Sequence, residues 1–196
     1  MNMRNKAVTL AYFGAAAFEV TSVNGKKILI DPYITRNPMC NKDLEYFCDT
    51  DLILVTHGAF DHLGDAIEIM KQSRALLVCG PDVARYALKV GVPQERVKLT
   101  IYGDQKEFEG IKIRTVDARH FSRVESGTEI YYGISVGFVV SLENEVRLYH
   151  TGDTSLFGDL KLIGMLYKPN ILMINISSVS EGRIAEMSIN EAALAT

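Results

Sequence analysis

The chain has 196 residues, 47% of them apolar, with 21 basic against 24 acidic side chains and a net charge of −3. That is a globular composition, long enough for one buried core, and the lack of a basic run argues against a nucleic-acid face. No apolar stretch approaches the roughly 20 residues that cross a bilayer, and Met1-Asn2-Met3-Arg4-Asn5-Lys6 is not the apolar core of a signal peptide.

In chain order, residues 18–23 and 26–30 read as strands flanking Asn24-Gly25, a hairpin signal because a type I′ turn needs positive φ at both central positions. Asp31-Pro32 ends the second strand, since proline cannot donate to a ladder, and a polar loop spans 35–50. Residues 51–56, Asp-Leu-Ile-Leu-Val-Thr, form the near-continuous apolar run of a strand buried on both faces. Leu63, Ala66, Ile67 and Met70 follow at helical spacing. A strand at 75–79 and a helix over 82–90, ended by Gly91, continue a β–α–β–α alternation that favours a layered α/β fold.

The second half keeps that style. Glu109-Gly110 joins two short strands, and residues 134–142 and 146–149 flank Glu143-Asn144-Glu145. A helix is expected near 158–167 and a buried strand at 171–176. Ser188-Ile189-Asn190-Glu191 fits a capping box, and the helix it opens runs to Thr196, as though the element were cut short. Cys40, Cys48 and Cys79 are odd in number and lack CxxC spacing, which argues against a disulfide framework and for a cytoplasmic protein. Cys79 reads as a small core residue.

Chemistry gathers at the strand ends. Of the four histidines, His57, His120 and His150 each follow a strand-like run, and His62 closes His57-Gly58-Ala59-Phe60-Asp61-His62. An aspartate beside a histidine in a tight loop can turn both toward one cation, and imidazole with carboxylate suits zinc, manganese or iron. Asp153 lies just past another strand, after Gly152. A lone histidine after a strand is more often packing than a ligand; several such groups at three strand ends outweigh that expectation.

The stretch Thr56-His57-Gly58-Ala59-Phe60-Asp61-His62-Leu63-Gly64-Asp65 resembles the HxHxDH signature of the metallo-β-lactamase superfamily. Gly25-Lys26-Lys27-Ile28-Leu29-Ile30-Asp31-Pro32-Tyr33, Asn37-Pro38 and the run from Tyr149 to Asp159 are similar to its branch of uncharacterised metal-dependent hydrolases related to L-ascorbate-6-phosphate lactonase. The resemblance covers nearly the whole chain. It implies a single domain over 1–196 with a four-layer αββα sandwich, C-terminally shortened, whereas the periodicity reached only a layered α/β fold.

Carried over by motif, the resemblance implies that His57 and His120 hold one metal, that Asp61 and His62 hold a second, and that Asp153 bridges both. Asp61 and Asp153 are then the catalytic carboxylates, and a metal-activated water attacks the substrate. Asp31 is expected to orient the ligands from behind, the alternative being a plain strand-ending turn residue. For His150 a packed core position is favoured over such support. Arg36, Arg119 and Arg123 are candidates for an anionic substrate, with solvated surface positions the alternative.

The chain departs from the pattern at three places. Alanine stands at 59 where the family has a metal histidine, and at 15 where relatives usually carry a histidine. The family's last metal histidine lies beyond the helix that opens near Ser188. The expected cofactor is therefore one divalent metal rather than two, zinc before manganese or iron. Two functions compete: a hydrolase of a small ester, lactone or phosphorylated metabolite, and a degenerate relative serving as a binding or assembly module. A small-molecule substrate is expected, with no nucleic-acid or membrane partner. A homo-oligomer is suggested on family grounds and by a sheet edge left uncovered.

Overall fold

The computed structural model describes residues 7–177 and 186–196. The first six strands form one sheet in chain order: β1 (Thr9–Gly14), β2 (Ala17–Thr21), β3 (Lys27–Ile30), β4 (Leu52–Val55), β5 (Leu76–Cys79) and β6 (Val97–Leu99). β1 to β3 pair antiparallel; β3 to β6 run parallel, with α1 (Ala66–Gln72) and α2 (Pro81–Lys89) as crossovers. The second sheet contains β7 (Gln105–Phe108), β8 (Ile111–Ser126), β9 (Glu129–Ser141), β10 (Arg147–His150) and β11 (Ile171–Met173) in the order 11-10-9-8-7. Two further helices are α3 (Asp159–Tyr167) and α4 (Ile189–Ala195).

Side-chain alternation turns this order into layers. Along β3 and β4, Leu29, Ile53 and Val55 face α1 and α2, where they meet Ile67, Ile69, Met70 and Val83. Their neighbours Ile28, Ile30, Leu52 and Leu54 face the other way, onto Ile113, Val136, Phe138 and Leu148 of the second sheet. The outer face of that sheet, through Val139 and Tyr149, is covered by Leu160 and Ile163 of α3 and Ala192 of α4. The result is the four-layer αββα sandwich, and the unbroken apolar run at 51–56 marks a strand buried on both faces. Cys79 is fully buried in the first of these cores. Among the described residues no helix is long and apolar enough to cross a membrane.

The turns refine the sequence reading. Asn24-Gly25 does make a hairpin, but not of type I′: Gly25 alone has positive φ, 84°, and the Ser22 amide donates to the Lys26 carbonyl at 2.9 Å. This is a three-residue loop closed by a left-handed glycine, whose one extra residue sets the register of β2 on β3. The I′ geometry occurs at Glu109-Gly110, where φ is 48° and 86°. At the end of β9, Leu142 bonds the Val146 carbonyl at 2.8 Å with Glu145 at φ 66°, repeating the Ser22–Lys26 loop in the second half of the chain.

The largest departure is the β8–β9 hairpin, read from sequence only as residues 111–113 and 134–142. Its distal half leaves the second sheet and lays Val124 and Tyr131 against the core around α1 and α2. A bulge makes the bend: the three residues between Asp117 and Phe121 oppose only one, Ser135, between Ile134 and Val136. Extra residues on one strand break the ladder, bend it and re-aim the side chains there. His120 lies inside that bulge.

Candidate metal centre

Three strand ends converge. β4 delivers Thr56, His57 and His62, its parallel neighbour β3 delivers Asp31, and β10 of the opposite sheet delivers Asp153. Gly152, at φ 60°, lets the two sheets meet here, because a Cβ at that position would lie 2.9 Å from the Thr56 Cβ. The neighbouring His150 is fully buried and neutral: Nε2 donates to the Ala16 carbonyl at 3.2 Å, and Nδ1 accepts from the Gly152 amide at 3.0 Å. It is a satisfied core histidine whose second bond pins the backbone immediately before Asp153.

At the centre, Asp153 Oδ2 lies 3.2 Å from His62 Nε2 and 3.8 Å from His57 Nε2. The other Asp153 oxygen accepts from Asn175 Nδ2 at 2.9 Å. Behind the rings, Asp31 accepts three hydrogen bonds: from the Thr56 amide at 2.8 Å, Thr56 Oγ1 at 2.7 Å and His62 Nδ1 at 2.8 Å. Thr56 Oγ1, its proton given to Asp31, is the acceptor for His57 Nδ1 at 3.1 Å. This network holds each ring through its Nδ1–H and points both Nε2 atoms at Asp153. Asp31 itself sits at φ 46° with no exposed surface, a strained conformation held because its carboxylate organises both histidines.

The electrostatics follow the geometry. Burial, then the charge on His62, push His57 down to about 3, so it is a neutral ring with an available lone pair. Burial also works against charge on His62, but Asp31 and Asp153 outweigh it and hold His62 well above the ordinary imidazole value. Burial would raise Asp31 and Asp153; contact with His62 overrides it and holds both below the usual carboxylate range.

Two sets of donor atoms, each within 4.8 Å of one another, arise among the described residues: His57, His62 and Asp153, and His120, Asp153 and Glu186. Of the residues singled out from sequence, His57, His62, His120 and Asp153 are thus brought together, though His57 groups with His62 rather than His120. Asp61 lines the same cleft without entering either set. Ala59 lines the cavity on one side of the centre and Ala15 the cavity on the other. Arg36 and Arg123 border the cleft, whereas Arg119 stacks on Phe157 at 4.9 Å. Sequence reading missed Thr56, Asn175 and Glu186, none of which carries a motif of its own.

The first set fits a cation. His57 Nε2 is buried with no hydrogen-bond partner among the described residues, a costly state for a polar atom that a metal relieves. Donors held at about 2.0–2.2 Å from zinc lie about 3.3–3.6 Å apart in a tetrahedron, close to the 3.2 and 3.8 Å seen here.

A second buried network supports the His57 loop. The Gly58 amide donates to Ser122 Oγ at 2.8 Å, and Ser122 in turn donates to Asp82. Burial raises the Asp82 carboxyl, and the bonds from Ser122 and the Val83 amide only partly offset it. A raised carboxyl stabilises the fold below its ordinary value of 3.8 and loses that contribution as pH rises through the raised one. Asp82→Asn, which cannot ionise, is expected to gain on the wild type in urea midpoint between about pH 3 and 8. A difference that does not change with pH would show that Asp82 ionises freely.

Residues 26–196 match the family described as "Beta-lactamase superfamily domain". The chain belongs to the β-lactamase superfamily. Among superfamily relatives, the UPF0173 metal-dependent hydrolase of Methanosphaera stadtmanae is 39% identical over 188 residues, covering 95% of this chain and 77% of the relative. The UPF0173 metal-dependent hydrolase MK1542 of Methanopyrus kandleri is 45% identical over 170 residues, covering 86% and 72%. A solved structure, Igni18, a metallo hydrolase from Ignicoccus hospitalis, superposes with a TM-score of 0.77 at 31% identity, covering 96% and 76%. The expected sandwich and the metal-dependent hydrolase branch of the superfamily both stand.

Proposed function

We propose that the chain is a metal-dependent hydrolase of a small ester, lactone or phosphorylated metabolite, and that His57, His62 and Asp153 hold the catalytic cation. The observation that carries this reading is the buried, unpartnered His57 Nε2, aimed with His62 Nε2 at one aspartate oxygen on the floor of a cleft. Zinc is the first choice for two imidazoles and a carboxylate, with manganese or iron as alternatives. When bound, such a metal lowers the pKa of water toward about 7 and polarises a carbonyl or phosphoryl oxygen.

The protein's own groups do the rest. Asp31 and Thr56 hold both rings through Nδ1, so that Nε2 is the nitrogen each ring presents to a cation. Asp61, which lines the cleft, would serve as the group that accepts a proton from a water activated there. The cleft holds about 1070 Å³, ample for a metabolite. Its mouth carries Phe60 and Phe121, 66% and 61% exposed, beside Arg36 and Arg123. Apolar faces next to guanidinium groups suit a small substrate with an anionic end.

Ala59 and Ala15 favour the competing reading, a relative that has lost its chemistry and only binds. A screen of lactones, carboxylic esters and phosphoesters against metal-stripped and zinc- or manganese-reloaded protein separates the two. Turnover that appears on reloading, and not in Asp153→Ala, is the expected result. Stoichiometric metal without turnover on any of the three classes would favour the binding module.

A further inference from the structure

We infer that Arg36 is the specificity residue of this cleft: it takes an oxyanion, carboxylate or phosphate, that the substrate carries at the end away from its scissile bond. This builds on the hydrolase reading and narrows its substrate class to esters or lactones with such a tail. Of the three arginines that the sequence offers, the structure leaves one. Arg119 lies over Phe157 and beside Asp117, outside the cleft lining. Arg123 lines the cleft but gives Nη2 to Glu125, another lining residue, at 2.8 Å. Arg36 lines the cleft with no carboxylate in ion-pair reach among the described residues.

Its side chain is presented, not loose. The guanidinium carbon lies 6.0 Å from the centroid of the Phe60 ring, at the outer reach of a cation–π contact. Tyr33 meets Phe60 edge-on at 5.9 Å, and its hydroxyl donates to the Arg36 carbonyl at 2.7 Å. One tyrosine thus fixes both the ring and the backbone of the arginine. The flanking backbone is tied to the interior. Asp65 accepts from the Ile34 amide at 2.8 Å, the Thr35 amide at 2.9 Å and Thr35 Oγ1 at 2.6 Å. On the other side, buried Asn37 donates to the carbonyls of Phe13, Gly14 and Tyr33. A cation held in place gives up less freedom on binding than one at the end of a free chain.

Charge sets the class of ligand. Asp61, Asp153 and Glu186 line the same cleft, so an anionic tail is repelled there except beside a cation. With Arg123 paired to Glu125, the side chain left to receive the tail is Arg36. A guanidinium always carries its charge, and its planar fork of N–H donors matches two oxygens of a carboxylate or phosphate. Phe60, next to it, offers an apolar face to the carbon chain that bears the anion.

Three acids that differ only at the far end of one carbon chain provide the test: butyrate, glutarate and 4-phosphonobutyrate. Calorimetric titration of the zinc-loaded protein with each reads binding without turnover, and the nitrophenyl monoesters of the same acids read catalysis. The wild type is expected to bind glutarate or the phosphonate at least about tenfold more tightly than butyrate, and the larger preference names the oxyanion. Arg36→Gln should abolish that preference, and Arg36→Lys should restore only part of it, because an ammonium lacks the fork. Arg119→Gln, the same loss of charge outside the cleft lining, should keep it. With the anionic esters, the loss in Arg36→Gln should fall on KM more than on kcat. A preference absent from the wild type, or unchanged in Arg36→Gln, overturns the assignment whatever the esters show. A preference that depends on Arg36, without hydrolysis of any ester, keeps the anion site and counts against the hydrolase reading.

Discussion

Asp153→Ala is expected to empty the centre of metal. Both donor sets contain this residue, and its Oδ2 is the atom that faces His57 Nε2 and His62 Nε2. Loss of a hydrogen-bonding partner behind a ligand already costs about 10–100-fold in metal affinity, and loss of a donor common to every position should exceed that. Elemental analysis of variant and wild type, prepared side by side and incubated with excess zinc or manganese, reads the effect directly. The metal-free variant should also melt lower. His62 keeps only Asp31 as a counter-charge, and an unmade hydrogen bond to a buried group costs about 1–3 kcal/mol. Stoichiometric metal retained by the variant would remove Asp153 from the centre and, with it, the idea of a shared carboxylate.

The second large effect is on stability. Asp31→Ala should destabilise the metal-free protein by about 3–5 kcal/mol, the usual cost of leaving one member of a buried ion pair without its partner. Two Thr56 donors are orphaned at the same time. Relief of the φ 46° backbone gives nothing back, since alanine is no more at ease there. Asparagine tolerates that region, so Asp31→Asn separates charge from conformation and should fall between alanine and the wild type.

The pH dependence has a definite sign. The lowered Asp31 contributes fully above its ordinary 3.8 and loses its contribution as pH falls through its folded value. The raised His62 contributes fully below its ordinary 6.5 and loses its contribution as pH rises through its folded value. The gap in urea midpoint between wild type and Asp31→Ala should therefore be widest from 3.8 to 6.5 and narrow on both sides. Equal midpoints across that range would mean that the pair contributes nothing to the metal-free fold.

Some of this centre was open to inspection along the chain, because donor chemistry is a property of residue type. His57, His62 and Asp153 follow apolar runs that have to be buried strands, and in a layered α/β fold the loops after such strands converge. The capping box at Ser188 and the hairpin at Glu109-Gly110 were equally plain, since each rests on contacts within a few residues. Asp31 was ambiguous: a carboxylate before proline ends a strand whether or not it also holds a histidine 31 positions away.

The rest depended on distance across the fold. His120 was named from the strand-like run before it and from the resemblance, but only the bulge between Asp117 and Phe121, created by pairing with β9, turns it toward the cleft. Glu186 reads as an ordinary acidic residue until Met187 is buried and bridged to Ile176. Thr56 passes for the end of a strand until β3 lies beside β4 and brings Asp31 to it. Residue types state which atoms can bind a cation. Which of them come close enough to share one is decided by strand pairing and by the meeting of two sheets at Gly152, because coordination acts over a few ångströms and the candidate donors come from positions 57 to 186.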